Sequence, residues 1–179
     1  IILVCSRLEQ LLPTTLSRCQ VVQFGPVDEA KIVEHLTKLN IPEAAASYWA
    51  RFTEGSLGAA KSWARLELKG DEADCFAIKQ KLVRGLARQT MADSLDFAQW
   101  MGNAAKAIAE AQLKAEPNVS KTDITRRAQK GLIKMVVCAM TDVIKVHCGM
   151  TDELANADQF SEIQVLAERF DAESAAKRV

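Results

Sequence analysis

The sequence contains no glycine-rich phosphate loop, no CxxC pair, no carboxylate pair at a spacing suited to acid–base work and no nucleophile set beside a base. These absences remove a self-contained nucleotide-hydrolysing, zinc-binding or hydrolytic centre from consideration, so this stretch alone is not expected to be an enzyme. Histidine is scarce as well: only His35 and His147 could complete a metal site with cysteine, and neither lies at ligand spacing, so no metal is expected. An excess of one charge is also missing, because Lys+Arg and Asp+Glu each number 23. A general nucleic-acid coat carries a basic excess, which leaves room only for a local basic patch. No uninterrupted apolar run reaches the ~18 residues of a membrane span, and no membrane association is expected. The five cysteines, at 5, 19, 75, 138 and 148, are odd in number and unpaired in spacing. With no secretory leader, reduced thiols and a cytoplasmic location are the simplest reading. Cys138 and Cys148 read as small apolar fillers of a helix.

What is present is ample core material: 49% of the 179 residues are hydrophobic, enough for one ordinary domain or two small ones. The chain opens on Ile1-Ile2-Leu3-Val4-Cys5-Ser6, a continuous apolar run rich in β-branched residues. Such a run predicts a strand buried on both faces, which needs neighbours that nothing later supplies as a parallel sheet. The chain is therefore expected to be part of something longer. Arg7–Gln10 reads as a polar connection, Leu11–Arg18 as a short helix with Pro13 in its first turn, and Cys19–Phe24 as an edge-like strand closed by Gly25-Pro26.

From there every pattern is helical. Asp28 caps a helix with Ile32, Val33, Leu36 and Leu39 on one face, ended by Asn40-Ile41-Pro42. A second carries the aromatic stripe Ala45, Tyr48, Trp49 and Phe52 and closes at Gly55. Ser56 caps a third, through Leu57, Ala60, Trp63, Ala64 and Leu68 to a stop at Gly70. Longer helices follow, with stripes Cys75/Ile78/Leu82/Leu86 and Phe97/Met101/Ala104/Ile108/Ala111, then a break at Glu116-Pro117-Asn118. Ser120 and Asp123 resemble a capping box opening a helix apolar on more than one side, through Leu132, Met135, Val136, Ala139, Met140, Val143 and Ile144. Such a helix is expected at the centre of a bundle or at an interface. Phe160, Ile163, Leu166, Ala167 and Phe170 define the last helix. The fold class expected is mainly α: a strand-bearing remnant over 1–26, a three-helix unit over 27–70 and a helical bundle over 71–179.

Leu11-Leu12-Pro13-Thr14-Thr15-Leu16-Ser17-Arg18-Cys19 resembles the LLPT-x-x-SRC motif of the clamp-loader subunits of bacterial DNA polymerase III, members of the AAA+ class. It follows a buried-type strand and precedes a segment ending in Phe24, as in that family. The resemblance implies that residues 1–26 end an AAA+ α/β base domain, that 27–70 form its three-helix lid, and that 71–179 form the collar that joins subunits in a ring. It also implies that Arg18 is an arginine finger directed at the ATP of a neighbouring subunit, with Ser17 positioning it. A planar, permanently charged guanidinium suits the charge that collects on a transferring phosphoryl group. Read from the residues alone, Arg18 caps the helix C-terminus or pairs with a surface acid.

Two departures from the family pattern refine this. Ser6 matches the small polar sensor residue near the phosphate, but Arg7 follows where Thr or Asn is more usual. Gly55-Ser56-Leu57-Gly58-Ala59-Ala60 resembles the turn opening the last lid helix, and Gly58 stands where ATP-hydrolysing relatives carry a nucleotide-contacting arginine. A finger without its own nucleotide arginine is the delta-prime pattern. The resemblance then implies a subunit that binds no cofactor in this stretch and stimulates ATP hydrolysis next door. Its expected partners are the gamma/tau and delta subunits, the sliding clamp and, through the assembled complex, primed DNA. The alternatives are an ATP-hydrolysing gamma/tau-type subunit, or a helical scaffold unrelated to ATP.

Arg126, Arg127, Lys130 and Lys134 fall near one helical face, which suits either phosphate contacts or an ordinary solvated surface. Trp49, Trp63 and Trp100 are expected in the core rather than as stacking platforms. His35 has no partner that would make it catalytic.

Overall fold

The computed structural model describes residues 2–5, 7–68, 72–88, 90 and 92–176. Nine α-helices occur among them: α1 Pro13–Leu16, α2 Glu29–Thr37, α3 Glu43–Phe52, α4 Leu57–Ala64, α5 Cys75–Arg88, α6 Ser94–Ala115, α7 Lys121–His147, α8 Phe160–Arg169 and α9 Ala172–Ala176. Single 3-10 turns lie at Leu8–Gln10, Thr151–Glu153 and Ala157–Gln159. The fold is mainly α, as expected.

Neither strand expected in the first 26 residues forms among the described residues. Ile2, Val4 and Phe24 are 91%, 94% and 92% exposed. An extended segment becomes a strand only when a second backbone accepts its N–H and C=O groups, and no described residue does so. Ser6 lies outside the described residues.

Residues 27–68 build a compact helical unit. Asp28 accepts the Ala30 N–H at 2.9 Å, which caps α2 as its position before the apolar stripe predicted. Asn40, in the left-handed region at φ 62, turns the chain out of α2 so that Pro42 can lead into α3. Glu54 and Gly55 are left-handed in succession, φ 51 and 84, and reverse the chain toward Ser56. The Ser56 hydroxyl accepts weakly from Ala59 N–H at 3.4 Å. α4 stops at Ala64, a turn earlier than the expected span to Leu68. The chain bends there to bury Leu66 and to pair Glu67 with Asp74 in an isolated antiparallel bridge. Gly70 lies outside the described residues.

α5, α6, α8 and α9 pack around α7. The central position read from its apolar residues on more than one side is therefore correct. Ser120 precedes α7 but makes no side-chain cap hydrogen bond. The Asp123 side chain is one methylene shorter than the Glu a reciprocal box uses, so that reading is corrected. Cys148 is exposed at the C-terminal end of α7 and fills nothing, whereas Cys138 is half-buried. α9, beyond the last expected helix, adds a short cover on α7.

One hydrophobic cluster runs through both units. Trp49 stacks on Trp63 with ring centroids 5.8 Å apart, Phe52 meets both edge-on, and Tyr48 faces Phe76 of α5. Trp100 is half-buried, stacks on Phe97 and donates to Glu72 at 3.0 Å. All three tryptophans serve packing. At Gly131, α7 passes so close to Trp63 that an added Cβ would lie 2.6 Å from the ring atom Cζ2.

Candidate functional site

The motif at residues 11–19 folds as a single tight turn. Leu12, extended at ψ 137, precedes Pro13, whose missing N–H costs nothing at the first helical position. Thr15 and Leu16 donate to the Leu12 carbonyl at 2.9 and 3.1 Å, and Ser17 to that of Pro13 at 2.9 Å. The Ser17 hydroxyl and Arg18 Nη1 then converge on one acceptor, the Thr14 carbonyl, at 3.2 and 3.4 Å. Ser17 thus holds the last turn, and Arg18 follows it at the helix C-terminus, where a cation is favourable.

The Arg18 contact is long for a hydrogen bond, and no carboxylate pairs with the guanidinium among the described residues. Its charge is exposed. An unpaired guanidinium on a short turn can extend to an anion brought from outside at little cost. α1 buries none of its own residues. Gly58, on the second turn-position of α4, is exposed and has nothing within 4 Å of where a Cβ would point. No hydrogen bond or ion pair links Arg18 to the start of α4 among the described residues. The glycine is also not demanded by packing, since a longer side chain would enter open space.

Of the basic face on α7, two members are spent inside the chain. Arg127 Nη1 reaches both carboxylate oxygens of Glu116, at 2.8 and 2.9 Å, and Lys134 pairs with Glu54 at 2.7 Å while lying over the Phe52 ring. Arg126 and Lys130 are exposed. His35 is exposed, and no hydrogen bond or ion pair places it beside a reactive group.

A set of residues that the sequence did not single out holds the three-helix unit to the bundle. The segment 151–159 is gripped from three helices. From α3, Arg51 donates to the carbonyls of Asp152 and Leu154 and pairs with Glu29 at 2.6 Å. From α7, Asp142 accepts the Ala155 N–H at 3.0 Å and both the backbone and side-chain N–H of Asn156 at 2.7 Å. Lys145 donates to the Glu153 carbonyl at 2.6 Å. From α5, Lys79 is wholly buried, pairs with Asp158 at 2.5 Å and reaches Gln159 at 3.3 Å. Burial holds its amine below the ordinary lysine range, and the facing Asp158 works against that shift. The Tyr48 hydroxyl beneath it is fully buried with no hydrogen-bond partner among the described residues, and burial raises its pKa well above the usual tyrosine value. Only a buried lysine or aspartate could have signalled this cluster, and neither is distinguishable in sequence from a surface charge.

The groove beside this segment, lined by Glu43, Ser47, Arg51, Asp152 and Asp158 among others, has Arg51 and Asp158 already engaged. It offers no nucleophile with a base. Groups of His, Cys, Asp or Glu able to hold a metal do not occur among the described residues. Among those residues no helix is long and apolar enough to cross a membrane.

Residues 104–178 match the model of the DNA polymerase III delta subunit, C terminal, a clamp-loader family. The matched span takes in the C-terminal half of α6 and all of α7, α8 and α9. It lies wholly within the bundle and does not include residues 11–19 or Gly58. No curated protein and no solved structure matches the chain.

Proposed function

We propose that this chain carries the lid and collar of a DNA polymerase III clamp-loader subunit of the delta-prime kind. The observation that carries the reading is the family match over 104–178, which falls on the α6–α9 bundle. It is reached independently of the Leu11–Cys19 motif, and both point to the same assembly. In this reading residues 71–179 join the subunit to the other loader subunits, gamma/tau and delta. The ring they form acts on the sliding clamp and primed DNA. The matched family is that of the delta subunit; the delta-prime character rests on Arg18 together with Gly58 in this chain.

Arg18 would act in trans. Its guanidinium, exposed and without a carboxylate partner, would meet the γ-phosphate of ATP bound by a neighbouring subunit and stabilise charge there as the phosphoryl group transfers. Ser17 would act as a positioning residue, because its bond to Thr14 fixes the turn from which the arginine leaves. With glycine at 58, the subunit would contribute no arginine to a nucleotide of its own.

The test is reconstitution of the full-length parent with its cognate ATPase subunits and measurement of clamp- and DNA-stimulated ATP hydrolysis. Arg18→Ala is expected to assemble normally and to lower the rate by about tenfold or more. An unchanged rate in an intact complex would leave Arg18 structural. Tight ATP binding by the isolated full-length parent, with hydrolysis, would favour the gamma/tau type instead. Failure of the wild-type chain to assemble would leave only a helical scaffold.

A further inference from the structure

The outer face of α7 carries a stripe that no described residue buries. Arg126, Lys130, Ile133 and Val137 follow one another at spacings of four, three and four residues. At 100° per residue these positions fall in a stripe about 60° wide. Of the residues buried in the bundle core, Ala128, Leu132, Met135 and Ala139 lie on the opposite side of the helix, while buried Met140, one turn beyond Val137, closes the stripe at its C-terminal end. The seam is open: Arg126 and Lys130 are exposed, Ile133 is 60% exposed, and Val137 is half-exposed. It spans roughly 16 Å along the axis between Arg126 and Val137.

Two features distinguish it from an ordinary solvated face. The first is the use of charge. Arg127 and Lys134, a quarter-turn away, are neutralised by Glu116 and Glu54, whereas Arg126 and Lys130 meet no acid among the described residues. The second is the position of the apolar pair. A bulky β-branched residue at the middle of a polar helix face has no role in the chain's own core, and it stands one turn beyond the two free cations. The four-three-four spacing is that of a helix receiving another helix.

We infer that this seam is a docking surface for an acidic amphipathic helix of a partner protein, with carboxylates opposite Arg126 and Lys130 and apolar side chains over Ile133 and Val137. The cations supply complementarity and orientation, and the apolar pair supplies the desolvated centre. A nucleic-acid backbone satisfies the first half of the seam and not the second, because phosphates and sugars bury no isoleucine. The inference uses α7 alone and does not depend on the role given to Arg18.

The probe is a synthetic amphipathic helix about four turns long, with Glu and Leu arranged in the same four-three-four spacing. Its binding to the full chain is followed by fluorescence anisotropy. A second probe carries Lys in place of Glu, and a duplex DNA oligonucleotide serves as the third. The wild-type chain is expected to bind the Glu/Leu helix. Ile133→Glu and the double variant Arg126→Glu/Lys130→Glu should each weaken that binding by about tenfold or more. The double variant should bind the Lys/Leu helix in its place. These side chains are solvent-facing, so circular dichroism and thermal melting should leave all variants indistinguishable from wild type. Absence of binding to the Glu/Leu helix would overturn the proposal. So would undiminished binding by Ile133→Glu, which would reduce the seam to bare charge. Tighter binding of the DNA duplex through Arg126 and Lys130 would assign the face to nucleic acid.

Discussion

Lys79 and Asp158 are 79 positions apart in the chain and 2.5 Å apart in the fold, with the lysine wholly buried over the rings of Tyr48 and Phe76. The pair is where α5, the aromatic stripe of α3 and the segment after α7 meet. Its two ends are not equivalent, because Asp158 retains some exposure and a second donor, Gln80, at 3.2 Å, whereas Lys79 is wholly buried and has only the neutral Gln159 Oε1, at 3.3 Å, as a further acceptor. Asp158→Asn, which strands a buried ammonium, is expected to cost about 3 kcal/mol or more, and Lys79→Met distinctly less. Urea denaturation of the two variants reads the difference. The order would reverse if the carboxylate were the more dependent partner.

The pH dependence of the same pair has a defined sign. Burial lowers the Lys79 pKa below its unfolded value of 10.5, so the folded chain binds fewer protons than the unfolded one as that range is approached. The contribution of this group to stability therefore rises with pH toward 10.5 and is lost as pH falls through its folded pKa. Removing the opposing carboxylate in Asp158→Asn should steepen the rise. Denaturant midpoints followed up to about pH 10.5, compared between wild type and Asp158→Asn so that the shared thiol contribution cancels, check it.

Those thiols divide by burial. Cys5, Cys19 and Cys148 are exposed and should react promptly with a disulfide reagent, while Cys75 and Cys138 should wait for opening of the fold. Burial pushes the Cys75 thiol up to about 12 and the Cys138 thiol to about 11, from an ordinary value of 9.0. A raised folded pKa contributes stability that is complete below the unfolded value and is lost as pH climbs through the folded one. Stability should therefore fall between pH 9 and 12, and Cys75→Ala should make that fall shallower. An equal slope in the variant would remove Cys75 as a cause.

Two helix-interior glycines should respond oppositely to alanine. At Gly102 nothing lies within 4 Å of the added carbon, and Gly102→Ala should gain about 0.5–1 kcal/mol from helix propensity. At Gly131 the same carbon enters the Trp63 ring, and Gly131→Ala should lose about 1–3 kcal/mol and disturb the Trp63–Trp49 stack. Denaturation followed by tryptophan fluorescence separates the two.

Arg18→Ala and Gly58→Arg alter exposed positions without packed neighbours. Both should change stability by no more than about 0.5 kcal/mol. Thermal melts that match wild type would make any change in an assembled complex a functional one.

Local pattern was enough for much of this protein. The apolar spacing placed α2, α3 and α5 to α8 in register, Asp28 and Ser56 marked two helix starts, and Asn40 and Gly55 marked two ends. These features depend on residues within a turn or two of one another, where propensity and capping act. The Leu11–Cys19 motif was equally legible, and the turn it makes follows from Pro13 and Ser17 themselves. Residues 71–179 were read as a collar only through the resemblance carried by the Leu11–Cys19 motif, and the family match falls within them, at 104–178. Helix-face composition alone does not separate one bundle from another.

Tertiary structure decided the remainder. An apolar, β-branched run such as Ile2–Val4 can state a preference for strand, but pairing needs a second backbone, and none is supplied among the described residues. The early end of α4 was settled by the burial of Leu66 and the Glu67–Asp74 bridge, which no periodicity records. The grip of Arg51, Lys79 and Asp142 on residues 151–159 joins positions up to 103 apart. The division of the α7 cations into paired Arg127 and Lys134 and exposed Arg126 and Lys130 depends on where Glu116 and Glu54 arrive in space. Sequence by itself determined which segments are helical and which side of each is apolar, because those are properties of neighbouring residues. Which charges are buried, which are paired and which face remains open were decided by packing, because burial and Coulomb energy depend on distance in space and not along the chain.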